Sequence, residues 1–228
     1  MTPARRALVL AGGDFHPSML EGIALDAARV VCVDRGLVHA LAAGLAPALL
    51  VGDLDSVPGE VLDRPALAAL PRRVFPADKD ASDLELALDA LADEDDAARP
   101  DEVIVAGVSG GRTDHLLFNW LLPARRAWPF RLRLVDASTD ARVVTPAHPL
   151  TMAAVVGRTF SLLPLGLARG VTTDGLRYAL AGATLEPGST RGLSNVVAAS
   201  RVSVGVASGT VLALAGRADP ETRTDDEA

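Results

Sequence analysis

Ala48-Leu49-Leu50-Val51-Gly52-Asp53-Leu54-Asp55-Ser56 joins a short apolar run to two acids. Four consecutive apolar residues ahead of a glycine read as a buried strand. If the strand continues, alternation puts Asp53 and Asp55 on one side of it. Their Cα atoms would then lie about 6.6 Å apart, at about 3.3 Å of rise per residue. Two carboxylates at that separation can share one hard cation, and Mg²⁺ is commonly held by one or two carboxylates plus substrate phosphates. An Asp-x-Asp pair alone serves turns and solvated loops equally well. What the neighbouring segments bring to the pair therefore decides its reading.

Working outward, the first half of the chain alternates strand-like and helix-like segments. Ala7-Ala11, Val30-Val33, Ala48-Val51, Arg72-Phe75 and Val103-Ala106 read as five strands. Pro17 suits the first turn of a helix reaching about Ala28, Gly44 ends a second helix, and Pro58 opens a third that Pro65 interrupts. Ser82 and Glu85 form a capping box ahead of the apolar stripe Leu84, Ala87, Leu88 and Leu91. A further helix runs through Leu122. Strands alternating with helices predict a parallel sheet of βαβ units.

After Pro123 and Pro129 helical periodicity stops. Arg131-Val135, Ala141-Thr145, Val155-Leu163, Gly170-Thr173, Ala183-Glu186, Val196-Ala199, Val202-Ala207 and Val211-Ala215 read as short strands. The expected architecture is an α/β parallel-sheet nucleotide domain over 1–128, a small all-β sandwich domain over 129–217, and a disordered acidic tail over 218–228.

Composition sets the outer limits. The 228 residues are 49% apolar but only 4% aromatic, so the core rests on Ala, Val and Leu. A net charge of -7 with no basic stripe argues against a nucleic-acid groove. The single cysteine, Cys32, excludes an intrachain disulfide and suits a reducing compartment. No apolar run approaches the ~20 residues of a membrane span, and Ala7-Ala11 is too short for a signal-peptide core. The expectation is a cytoplasmic protein with no membrane partner.

The acids fall in register with the predicted strands. Asp14, Asp34, Asp53 with Asp55, Asp80 with Asp83, and Asp114 each follow a different one of them. In an open parallel sheet those loops share the edge where ligands bind, so the pattern points to a metal-phosphate site. A local explanation accounts for part of it, because Asp83 and Asp114 also suit helix N-termini. The loop Gly107-Val108-Ser109-Gly110-Gly111-Arg112-Thr113-Asp114-His115 offers backbone N–H groups to an anion but lacks the lysine of a Walker A loop. It also matches the Gly-x-Ser-x-Gly elbow of a serine hydrolase, with Ser109 as nucleophile and Asp136 or Asp140 and His148 in the right order. That alternative leaves Asp53 and Asp55 idle. The Asp-x-Asp motif of haloacid-dehalogenase-type phosphatases is a poorer fit, since Val57 stands where a Thr is expected.

Taken together, Asp34-Arg35-Gly36, Gly52-Asp53-Leu54-Asp55-Ser56, Lys79-Asp80-Ala81-Ser82-Asp83, Gly110-Gly111-Arg112-Thr113-Asp114-His115 and Gly192-Leu193-Ser194-Asn195 resemble the thiamine pyrophosphokinase family in order and spacing. The resemblance implies transfer of the pyrophosphoryl group of Mg-ATP to thiamine, giving thiamine diphosphate and AMP. It implies a homodimer with shared active sites. It makes Asp53, Asp55 and Asp83 the Mg²⁺ ligands, with Asp34 and Asp114 beside them. Lys79 and Arg112 would neutralise phosphate charge. Gly110, Gly111 and Ser82 would stand at the nucleotide, and Ser194 and Asn195 at the thiamine ring. Arg35 departs from the family's usual glycine, Leu54 from Phe and Ser82 from Thr. Three alternatives stay open: a pyrophosphokinase for another alcohol such as a hydroxymethylpterin, the Ser109 hydrolase, and a non-catalytic nucleotide or thiamine sensor.

Overall fold

Leu8, Val9 and Leu10 are wholly buried because β1 (Arg6–Leu10) lies inside a sheet covered on both faces. The computed structural model describes residues 4–25 and 28–217. They divide into two units, one running through Leu122 and taking in Trp128–Ala137, the other comprising Pro123–Ala127 and the chain from Ser138.

In the first unit β1 pairs in parallel with β2 (Arg29–Val33) on one side and with β5 (Glu102–Ala106) on the other. Beyond β2 come β3 (Pro47–Gly52) and β4 (Arg72–Val74), and beyond β5 comes β6 (Arg131–Val135), again all parallel. The strand order β6-β5-β1-β2-β3-β4 reverses between β1 and β5. That reversal is the topological switch point, where the loops leaving the carboxyl ends diverge and open a crevice. The helices α1 (Gly36–Ala42), α2 (Gly59–Leu62), α3 (Asp83–Ala92) and α4 (Thr113–Leu121) are short. One core cluster packs Leu37 and Ala40 of α1 and Val61 of α2 with Leu8, Leu10, Cys32, Leu50 and Ile104 of the sheet.

Two expectations are corrected, the first helix and the place of Arg131–Val135. The helix expected from Pro17 to Ala28 is a single 3-10 turn, Pro17–Leu20, which Gly22 at φ 71 follows. The helical stretch expected to open at Pro58 and break at Pro65 is present, as one α-turn and a separate 3-10 turn at Pro65–Leu67. Arg131–Val135, read as the first strand of the all-β part, pairs with β5 as the sixth parallel strand. Its alternating sequence Arg-Leu-Arg-Leu-Val looks half-exposed because it has a buried and a less buried face.

The second unit is two antiparallel sheets. β12 (Asn195–Val196), β9 (Thr159–Pro164), β14 (Val211–Gly216) and β7 (Thr139–Val144) form one. β11 (Ala183–Leu185), β10 (Ala168–Asp174), β13 (Arg201–Gly205) and β8 (Leu150–Ala153) form the other. Strand β8 is an addition to the sequence reading. Phe160, Leu162, Val211 and Ala213 from one sheet and Val171, Val202 and Val204 from the other share a core, as in a sandwich. The acidic tail expected over 218–228 lies outside the described residues.

Candidate active site

The carboxyl ends of the parallel strands carry the acids, and backbone geometry aims them. Asp34, just past β2, adopts φ 47 and donates its N–H to Val51 O at 3.0 Å. Its carboxylate turns under β3, where Oδ1 accepts from Leu54 N at 3.1 Å. Leu54 itself sits at φ 65, so β3 does not continue through Asp53 and Asp55. Asp55 N instead donates to Asp53 Oδ1 at 3.2 Å, closing a tight local turn. Ser82 caps α3 by accepting from Glu85 N at 3.2 Å, which fixes Asp83 in the first helical turn.

These three elements bring single oxygens of Asp34, Asp53 and Asp83 within 4.8 Å of one another. Lys79 is the counter-charge: its Nζ lies 3.1 Å from Asp83 Oδ2 and 3.4 Å from Asp53 Oδ2, and donates to Pro76 O at 3.0 Å. Burial opposes that charge, but the hydrogen bonds and charges of Asp83 and Asp53 hold the ammonium above the ordinary lysine range. Burial, with the charges of Asp83 and Asp53 added, outweighs the Leu54 hydrogen bond and pushes Asp34 up to about 7. The Asp55 N–H holds Asp53 below the usual carboxylate range, with Lys79 assisting. Asp83 Oδ1 is buried and accepts no hydrogen bond. An orphaned carboxylate oxygen inside an all-oxygen donor set fits a hard divalent cation.

A cleft of about 840 Å³ opens above this group. The loops after β1 and β5 wall one side, joined by Gly13 N to Gly107 O at 2.9 Å and Asp14 N to Ser109 O at 2.7 Å. Gly110 and Gly111 line the cleft with left-handed φ of 87 and 65. Arg112 lines it too, but its guanidinium is engaged by Asp114 at 3.1 and 2.6 Å. Hydrogen bonding from Arg112 holds the exposed Asp114 carboxyl below its ordinary range.

Set against the sequence expectations, the structure gathers Asp53, Asp83, Lys79 and Ser82 and adds Asp34 to the close carboxylate group itself. Asp55 is exposed and falls outside that group, though it lines the cleft. Asp114 faces Arg112 rather than the three carboxylates. His115 and Asn119, one turn apart on α4, also line the cleft. Their i, i+4 spacing is the signal that the sequence reading passed over.

Two residues expected at the acceptor have different surroundings. The buried Asn195 amide is tied to the backbone: Oδ1 accepts from Tyr178 N at 3.0 Å and Val196 N at 2.8 Å, and Nδ2 donates to Tyr178 O at 2.8 Å. Ser194 is exposed at φ 56 and donates its N–H to Ser161 Oγ at 3.0 Å. The hydrolase reading fails at Ser109. Its hydroxyl donates directly to Asp136 Oδ2 at 3.0 Å and accepts from the Trp120 indole at 3.3 Å, so no imidazole stands between serine and acid.

Fold and site together define an α/β protein with a carboxylate-lysine cluster at its switch-point crevice, joined to a β-sandwich. Sequence comparison narrows the class. Residues 21–126 match the thiamin pyrophosphokinase catalytic domain, and residues 148–211 match the thiamin pyrophosphokinase vitamin B1 binding domain. The chain is 31% identical over 184 residues to the thiamine pyrophosphokinase of Bacillus subtilis strain 168, covering 80% of this chain and 84% of that one. A crystal structure of thiamine pyrophosphokinase from Bacillus subtilis superposes with a TM-score of 0.77 at 26% identity, covering 94% of this chain and 100% of the other. The Geobacillus thermodenitrificans structure gives 0.71 at 27% identity, covering 94% and 99%. The protein belongs to the thiamine pyrophosphokinase family.

Proposed function

We propose that this protein is a thiamine diphosphokinase, transferring the pyrophosphoryl group of ATP to the hydroxyl of thiamine to give thiamine diphosphate and AMP. The observation that carries the reading is the group Asp34, Asp53 and Asp83 with Lys79 at the switch-point cleft. Such transfer consists mostly of positioning and charge neutralisation. Asp34, Asp53 and Asp83 would hold Mg²⁺, with Asp55 at its edge. When bound, the ion supplies Lewis-acid polarisation of phosphate oxygens. Lys79 and Arg112 carry the remaining positive charge toward the phosphates. Gly110 and Gly111 leave room for a phosphate to approach the backbone, and Asp114 orients Arg112 through their paired hydrogen bonds. A carboxylate of the cleft takes the proton of the attacking hydroxyl. The first unit, 1–128 with β6, serves as the nucleotide domain; the sandwich and Ser194 serve the acceptor, with Asn195 shaping that wall from behind.

A homodimer with shared sites accompanies this reading. Its support is α4, none of whose residues is buried. Leu117, Phe118 and Leu121 are 54%, 74% and 52% exposed, a cost in water that a partner surface would remove. No helix among the described residues is long and apolar enough to cross a membrane. We place the protein in the cytoplasm, where ATP is available and the buried Cys32 stays reduced.

Phosphorus NMR of the protein with thiamine, ATP and Mg²⁺ tests the reaction. AMP and thiamine diphosphate in equal amounts are expected. ADP as the product, or AMP released only with another alcohol in an acceptor panel, would overturn the assignment. Tight nucleotide binding without AMP would make the protein a sensor.

A further inference from the structure

Three cationic side chains line the cleft, Arg35, Lys79 and Arg112, against five carboxylates. Two of the three are already engaged. Lys79 is held between Asp53 and Asp83, and Arg112 is paired with Asp114. Among the described residues, the Arg35 guanidinium has neither an ion pair nor a hydrogen bond; only its backbone carbonyl is engaged, by Val38 N at 2.9 Å. Arg35 stands directly after Asp34, at the step from β2 into α1. On its other side is the loop after β1, where a Cβ added to Gly12 would lie 3.3 Å from the Arg35 Cβ. The glycine thus leaves the arginine stem its path along the cleft wall.

A phosphate chain entering this cleft meets carboxylates on one side and must find donors on the other. Lys79 already directs its donors at Asp53, Asp83 and the Pro76 carbonyl, and Arg112 has two nitrogens on Asp114, so each brings only part of its donor set to a phosphate. Arg35 can bring all of its own. Its guanidinium is permanently charged and presents a planar fork of N–H donors that matches two phosphate oxygens at once.

We propose that Arg35 is a phosphate-chain ligand of this site, and that its contact sets the preference for a nucleoside triphosphate over a monophosphate. The inference rests on the nucleotide-binding reading given above and adds a ligand to it. Arg35 acts on the affinity for the polyphosphate end and leaves the nucleoside end and the acceptor untouched.

Calorimetry on the full chain tests this, with Mg²⁺ and β,γ-methylene-ATP as one probe and AMP as the other. Arg35→Ala should bind the triphosphate analogue at least tenfold more weakly and AMP within twofold of wild type. Arg35→Lys, which keeps the charge but not the fork, should fall between. In turnover, KM for ATP should rise while KM for thiamine stays constant. Because Arg35 is exposed, unchanged circular dichroism is expected for both variants. Analogue binding within twofold of wild type in Arg35→Ala overturns the proposal and leaves the nucleotide reading intact. So does an equal loss for AMP, or improved KM for thiamine alone, which would make Arg35 an obstruction at the acceptor. Wild type that binds no analogue at all sinks the nucleotide reading itself, and this proposal with it.

Discussion

The Asp34 carboxylate fills the space that a side chain at Gly52 would need. A Cβ on residue 52 would collide with Asp34 Oδ1, and the backbone there is at φ 143. Gly52→Ala must therefore strain the backbone and displace Asp34 from the carboxylate group. The strain alone is worth about 1–3 kcal/mol. Thermal unfolding should shift down by several degrees, and activity should fall even at temperatures where the variant is folded. A variant with wild-type melting and turnover would mean that Asp34 can move without consequence.

Proton release on metal binding is the second expectation. Asp34 is pushed up to about 7 from the ordinary 3.8, first by burial. A carboxyl raised on folding costs the metal-free protein stability as pH climbs from the unfolded value toward 7, because the unfolded chain ionises first. A bound cation favours the ionised form and reverses that loss. Calorimetric titration with Mg²⁺ in two buffers of different ionisation enthalpy should show close to one proton released near pH 6 and little above pH 8. Asp34→Asn should abolish the buffer dependence. Release that is unchanged in that variant would assign the proton to another group.

Removing the cation should silence the protein while leaving it folded. Dialysis against a chelator is expected to abolish AMP formation, and adding back Mg²⁺ should restore it. Far-ultraviolet circular dichroism should be unchanged by the chelator. Full activity after exhaustive chelation would remove the carboxylate cluster from the reaction.

Much of this was readable in the residues. Alternating strands and helices gave the parallel sheet, and the acids following successive strands gave the cleft edge, because loop position in a parallel sheet follows from chain order alone. Other features were not readable. Leu54 at φ 65 ends the strand early, and no propensity predicts a left-handed leucine, so Asp53 and Asp55 lost their common face. Asp34 entered the cluster by a tertiary contact under β3, invisible to local pattern. Arg131–Val135 alternates like a half-exposed strand, yet β5 claims it. Asn195 sat in a matching motif, but its amide is tied to the backbone of Tyr178, a partner that lies 17 residues away.

That contact makes Asn195 a stability residue in the first instance. Asn195→Ala would take the Asn195 partner from the Tyr178 N–H and carbonyl, at about 0.5–1.5 kcal/mol for each part-buried hydrogen bond lost. The second unit should melt earlier. Asn195→Asp retains the acceptor for Tyr178 and Val196 but loses the donor, so it should lie between. If Asn195→Ala melts like wild type and only KM for thiamine rises, the amide faces the acceptor after all.

Lys79 is the only lysine among 22 basic residues, and its surroundings suggest why arginine does not serve. One nitrogen reaches Asp53, Asp83 and the Pro76 carbonyl together. Three acceptors around a single point suit a compact ammonium with three rotatable donors. A guanidinium spreads its donors over a plane and must push at least one acceptor away. The side chain is only 14% exposed, so there is little free space into which the larger group could swing. The carboxylates that would move, Asp53 and Asp83, are those within reach of one cation. Lys79→Arg should therefore keep the fold and lose at least tenfold in kcat/KM, about 1.4 kcal/mol of transition-state stabilisation. Its affinity for Mg²⁺ should weaken in parallel, because the cost arises from displaced carboxylates. Activity and Mg²⁺ affinity both within about twofold of wild type, well under 1 kcal/mol, would show that charge alone suffices at residue 79 and that the lone lysine is an accident of composition.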